Sequence, residues 1–320
     1  MTLESLGPSA LIGLVQLCFA LAVAPLLQGI AKQLKARLQY RRGPSIWQPY
    51  RDLRKWWGKT PVESETASPL TRASPVIVLG AMISALLLIP IVALRSPLDG
   101  TGDLLVVLGT LALARFVMAL AALDSGSAFG GMGASREVAI ASLVEPGVFL
   151  SLAVVVAGAG TTNLGQIATR GVAAGSALFA PPLLLAAVAF GIVAIAETGH
   201  EPVDNPDTHL ELTMIHEGML LEASGRPLAL LTYAAQLKLV VVAGLFAAVF
   251  LPIGAAADLT LPGLALGLAV AFVKLVAAAC ALGLLDAGMA KLRILALPGL
   301  LGLSSLLALT ALAAQLWLPA

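Results

Sequence analysis

Apolar stretches of roughly membrane length recur along the chain, near residues 8–31, 74–94, 103–123, 138–158, 177–197, 231–252, 259–281 and 293–317. A helix needs about 20 mostly apolar residues to cross a bilayer core, so the pattern predicts eight transmembrane helices. Period-2 alternation is absent and Leu and Ala dominate the runs, which favours helices over a barrel. The expectation is an all-α, polytopic integral membrane protein, with residues 1–320 forming a single transmembrane domain. Small residues within the runs, Gly80 and Ser84 among them, suit close helix–helix contact. No internal repeat is evident, which argues against a transporter built from inverted halves.

Composition supports this. The chain has 320 residues, of which 59% are hydrophobic and 12% charged, against roughly 45–50% and about 25% in soluble domains. A net charge of +1 gives no bulk attraction to nucleic acid. Cys18 and Cys280 sit in separate apolar runs without a CxxC pair, so neither a disulfide framework nor an iron–sulfur ligand set is supported. The first apolar run follows Glu4 rather than a basic stretch, and it reads as a retained helix rather than a signal peptide.

The cations are unevenly distributed. Ten of the nineteen Lys and Arg residues lie in the first loop: Lys32, Lys35, Arg37, Arg41, Arg42, Arg51, Arg54, Lys55, Lys59 and Arg72. With eight spans, that loop shares its side with loops 124–137, 198–230 and 282–292, and the opposite loops contribute Arg95 and Arg170. The positive-inside bias places the first loop in the cytoplasm and both termini outside, in a bacterial or archaeal cytoplasmic (inner) membrane. Within it, Trp47, Tyr50, Leu53 and Trp57 recur at near-helical spacing with Arg51, Arg54 and Lys55 between them. This predicts a short amphipathic helix lying in the interface. Two roles remain open for it: a topological anchor, or a partner-docking surface for which Arg41, Arg42, Trp47, Arg51, Arg54 and Arg136 are candidates.

Four charges fall inside or at the edge of the spans: Arg115, Glu145, Glu197 and Lys274. Charge at bilayer depth costs about 2.5–3.5 kcal/mol on insertion scales, so each is a functional candidate. All four are expected in the cytoplasmic half, where Glu145 can pair with Arg115 or Lys274. Two structural ion pairs, or a hydrated ion path, both satisfy that placement. The segment ETGHEPVDNPDTHLELTMIHEGMLLE, Glu197 to Glu222, then gathers seven carboxylates and all three histidines with no Lys or Arg. Like-charge proximity raises carboxyl pKa values toward neutrality, as a proton relay requires. Glu145, Glu197, Glu201, Asp204, Asp207, Glu211, Glu217, Glu222, His209 and His216 are therefore proton-path candidates. HLELTMIHEGMLLE reads as a helix with His209 and His216 on one face. No HxxxH or HExxH occurs, so no metal site is expected. DSGSAFGGMGASRE is glycine-rich but lacks a nucleotide-binding pattern, and it reads as flexible backbone at the surface or at a subunit contact.

Three segments, RRGPSIWQPYRDLRKWWGK, DSGSAFGGMGASREVAIASLVEP and ETGHEPVDNPDTHLELTMIHEGMLLEASG, resemble a membrane-subunit family over nearly the whole chain. That family is shared by respiratory complex I (the NADH-quinone oxidoreductase, or NADH dehydrogenase) and energy-converting membrane-bound [NiFe] hydrogenases, including formate hydrogenlyase. The wording is nearer the hydrogenase branch, since RRGPSIWQP and PVDNPDTHLELTMIHE depart from the forms usual in complex I. Gly199-His200 stands where relatives often carry a small residue followed by arginine.

The resemblance implies a non-catalytic anchor and coupling subunit of a multisubunit redox complex, linking electron transfer in a docked hydrophilic arm to proton or sodium translocation. It implies no cofactor in this chain, with iron–sulfur clusters and a nickel–iron centre residing in partners. Those partners are hydrogenase-like large and small hydrophilic subunits, a ferredoxin-like iron–sulfur subunit and antiporter-like membrane subunits, all at or in the lipid bilayer. The alternatives are a quinone-site subunit of a complex I-like enzyme, a standalone secondary transporter and a purely structural anchor.

Overall fold

A computed structural model describes residues 3–62, 64, 67–96, 98–204, 214–257 and 260–317, with side chains from residue 11 onward. The described chain is helical: α1 Leu3–Leu38, α2 Gln48–Trp57, α3 Pro69–Leu88, α4 Leu104–Asp124, α5 Ala128–Ala159, α6 Leu164–Ala174, α7 Pro181–Glu197, α8 His216–Leu220, α9 Gly225–Phe250, α10 Leu261–Gly288 and α11 Leu297–Trp317. Helix starts follow side-chain chemistry. Ser68, Asp103, Ser127, Asn163 and Thr260 each accept a backbone N–H in the first turn of α3, α4, α5, α6 and α10, meeting donors that have no helical partner.

Seven of these helices are long and apolar enough to cross a bilayer, and the eighth expected span is a bent pair. Residues 164–179 meet Pro181–Glu197 at 105°. The break falls at Ala180, which is extended (φ −59°, ψ 144°), because the residue before a proline is disfavoured in helical geometry. The expected fifth span thus begins at Pro181 rather than 177.

The centre of the bundle is α9, the most buried of the long helices. It packs on α1, α2, α3 and α7, while α11 covers α5 and α7, and α10 lies along α1. Phe190, Phe246 and Phe250 close the core with ring centroids 5.3–6.1 Å apart, a separation at which aromatic pairs attract beyond simple burial.

In a dry interior each interrupted backbone bond needs a new partner, and the chain supplies one at Pro25, at Pro75 and at the end of α3. Pro25 has no N–H for the Leu21 carbonyl, and the Tyr233 hydroxyl donates to that carbonyl at 2.7 Å. Pro75 likewise frees Thr71, whose carbonyl accepts from Ser74 Oγ at 3.0 Å. Where α3 ends at Leu88, Gln16 of α1 is fully buried. Its amide nitrogen donates to the carbonyls of Leu86 and Ile89, at 2.5 and 2.8 Å, and its oxygen accepts from the amides of Ile91 and Val92, at 3.3 and 3.4 Å.

Two further expectations need correction. The glycine-rich stretch is helical from Ala128, and it serves close packing: a Cβ on Gly133 would stand 2.8 Å from the Ile215 carbonyl oxygen, so the glycine lets α5 meet the backbone entering α8. The helix expected over HLELTMIHEGMLLE exists, among the described residues, only as His216–Leu220. Ile215 before it is non-helical (φ −114°, ψ −83°). His209 and Glu211, like Asp207, lie outside the described residues.

Candidate functional site

The intramembrane charges converge on Arg115. Its Nη1 lies 2.7 Å from Glu145 Oε1 (α5) and its Nη2 2.6 Å from Glu197 Oε2 at the end of α7. Glu137, two turns before Glu145, reaches its Nε at 4.0 Å. Lys238 of α9 takes the other Glu197 oxygen at 2.9 Å. Four helices thus donate charge to one cluster, with Arg115 11% and Glu197 8% exposed. Two cations face three carboxylates, one negative charge in excess. Multiple partners of this kind are what allow charge to persist away from water.

A second group sits where α7 ends. Gly199 adopts φ +68°, its N–H reaches the Ala196 carbonyl, and the His200 N–H reaches that of Ile195. This is the two-bond arrangement of a glycine-terminated helix, and it turns His200 and Glu201 toward α10. His200 Nδ1 lies 2.8 Å from Asp286 Oδ2, and the Glu201 N–H donates to Asp286 Oδ1 at 3.0 Å. Lys35 of α1 lies 3.5 Å from buried Glu201. Asp204 is held by Lys291 at 2.6 Å and accepts the His216 N–H at 3.3 Å.

Three cavities join the groups. One of about 100 Å³ is bordered by Lys35, His200, Asp204, His216, Gln236 and Asp286. The next, about 50 Å³, is lined by Glu137, Glu197, Asp204, His216 and Lys238. The third, about 40 Å³, reaches Arg115 past Glu137, His216 and Lys238. His216 lines all three. Among the described residues, its Nε2 and Gln236 Oε1 are buried without a hydrogen-bond partner. A water needs about 10–15 Å³ and two to four polar contacts, and every one of these spaces meets that requirement.

The remaining candidates distribute as follows. Glu217 and Lys32 both border the largest of these three cavities, whereas Glu222 lies apart, in a space shared with Arg72. Arg41, Arg42, Trp47, Arg51 and Arg54 are exposed. Arg136 instead donates to the Met214 carbonyl at 2.9 Å, within its own chain. The Tyr50 hydroxyl donates to the Ala22 carbonyl and seats α2 on α1; burial raises its pKa, so it remains a donor.

The expected pairing of Lys274 is corrected. It donates to the Leu251 carbonyl at the end of α9 and joins no ion pair among the described residues. Helical side chains lean toward their own N-terminus, which carries this ammonium away from Glu145 to a carbonyl left free where α9 stops. Among the described residues no group of three or more His, Cys, Asp or Glu is placed to hold a metal.

Sequence reasoning missed Lys35, Glu137, Lys238, Asp286 and Lys291. Lys238 carried the same signal as Arg115, a charge seven residues inside an apolar run. Asp286 and the other lysines lay just beyond the expected helix ends and were absorbed into loops.

Fold and charge network together define a polytopic membrane protein with two groups of ionisable side chains beside cavities large enough for water. The family model described as NADH dehydrogenase matches residues 11–317, and the chain belongs to that family. It is 38% identical over 286 residues to formate hydrogenlyase subunit 4 of Escherichia coli (strain K12), covering 89% of this chain and 92% of that protein. Against hydrogenase-4 component C of the same organism it is 39% identical over 270 residues, 84% of each. A solved archaeal membrane-bound sulfane sulfur reductase complex contains a chain that superposes with TM-score 0.84 at 26% identity, over 96% of this chain and 99% of that one.

Proposed function

We propose that this chain is the membrane anchor and coupling subunit of a multisubunit redox complex of the membrane-bound hydrogenase or formate hydrogenlyase kind. Electron transfer takes place in a docked hydrophilic arm whose iron–sulfur clusters and nickel–iron centre belong to other subunits. This chain converts the arriving charge into proton movement. The names of the relatives, formate hydrogenlyase subunit 4 and hydrogenase-4 component C, support the class of complex. The solved respiratory membrane complex supports a subunit role.

One observation carries the coupling role. His216 lines three adjoining cavities between the His200–Asp286 group and the Arg115 cluster, and its buried Nε2 has no partner among the described residues. A neutral imidazole can accept a proton on one nitrogen and release one from the other. Asp204 and Glu197 border one of the same cavities. A reduced centre docked above this end favours protonation of the group beneath it. His216 then passes the charge inward to Glu197, and from there to Glu145. The exposed cations Arg41, Arg42, Arg51 and Arg54 supply the docking face for the arm, on the cytoplasmic side.

The test is His216→Gln in the intact complex reconstituted into vesicles, with redox turnover and internal pH followed together. The His216 Nε2 holds no hydrogen-bond partner among the described residues, so the variant is expected to assemble. Turnover should persist while proton movement falls at least tenfold. Unchanged proton movement at normal assembly overturns the coupling role and leaves an anchor.

A further inference from the structure

Glu145 stands where a carboxylate is costly. It lies 17 residues after Ala128, the start of α5, or about 26 Å along the helix at 1.5 Å per residue. The segment is long and apolar enough to span a bilayer. Its side chain is nevertheless 46% exposed, while its partner Arg115 is 11% exposed. The exposure points outward from the bundle. Val138, Ser142 and Phe149 fall on the same face at intervals of four, three and four residues, and all three are exposed.

The same turn carries a second acceptor. Pro146 has no N–H, so the Ser142 carbonyl loses its helical donor. The outer face of α5 therefore shows a carboxylate within one turn of a carbonyl whose usual helical donor is missing. Hydrocarbon offers neither a donor. The cluster behind them also holds one negative charge more than its cations, and Glu145 is its most exposed member.

We propose that this face of α5 is covered, in the assembled complex, by a transmembrane helix of another subunit that brings a cationic hydrogen-bond donor to the depth of Glu145. The complementarity is one of charge and of bonding: an outward-exposed carboxylate with surplus negative charge behind it, beside a carbonyl lacking its usual helical donor, fits a lysine, arginine or protonated histidine. The apolar neighbours Val138 and Phe149 fit the helix that carries it. This inference rests on the chain being one subunit of a membrane complex, and does not require proton movement through it.

The experiment places a photo-crosslinking amino acid at Ser142 and, separately, at Phe149 in the intact purified complex, and maps the adducts by mass spectrometry. The expected result is capture, from both positions, of one membrane-spanning helix with Lys, Arg or His within a turn of the adduct. Lipid adducts alone, or a captured helix without such a residue, overturn the proposal. If Ser142 does not accept the probe, Phe149 reads the same face and decides between these outcomes. Failure here, with His216→Gln still abolishing proton movement, removes the docking face and leaves the coupling reading standing.

Discussion

Gln16 illustrates how one side chain decides a helix end. Its amide meets two carbonyls and two N–H groups of the backbone leaving α3. Gln16→Leu keeps the approximate volume and strands the Leu86 carbonyl and the Val92 N–H, while the Ile91 N–H keeps its contact with the Ile89 carbonyl. Each buried unmet group costs about 1–3 kcal/mol, so the variant should lose most of its folded population in mild detergent, read as a collapse of the thermal transition. Tyr233→Phe strands only the Leu21 carbonyl and should cost about 1 kcal/mol in the same assay. Gln16 was invisible in the sequence, where it is one polar residue in a helix otherwise read as lipid-compatible. Arg115, Glu145 and Glu197 were legible for the opposite reason: a charge inside an apolar run has no bland explanation. Their convergence on one guanidinium was not legible, because it depends on which helices lie side by side.

At the scale of elements, hydropathy located every span but few of their ends. Apolar runs stop where lipid stops, whereas helices stop where the backbone bonds change. α1 therefore continues to Leu38 and α5 begins at Ala128, ten residues before the expected start at 138. The glycines of 126–133 read as a loop because spacing cannot distinguish glycine that frees the backbone from glycine that admits a neighbour. Gly199 is the first kind. An alanine there adopts the left-handed region at a cost of about 1–2 kcal/mol, and the strain falls on the turn that seats His200 against Asp286. Gly199→Ala should lower the melting temperature and weaken coupled proton movement together. Gly80→Ala, whose Cβ would meet nothing within 4 Å, should do neither. If the two variants behave alike, the turn at Gly199 is not what positions the second group.

Across the whole molecule, the Arg115 cluster ties α4 to α7 and α9, with which α4 shares little packing. α4 and α7 meet through Arg115 and Glu197, and α9 joins them through Lys238. Removing one partner of a buried pair leaves an uncompensated charge, typically at a cost of about 3–5 kcal/mol. Arg115→Gln takes the cluster from one excess negative charge to two, and should destabilise the assembled protein on that scale. Adding Glu145→Gln returns the excess to one while leaving Lys238 on Glu197. Groups in one network couple by about 0.5–3 kcal/mol, so the double variant should recover much of the loss, measured as the shift in thermal unfolding between single and double variants. Additive losses would mean that Arg115 and Glu145 act separately despite their 2.7 Å contact. The bundle would then be held by apolar packing alone, and the buried charges would be free to serve ion movement without any structural duty.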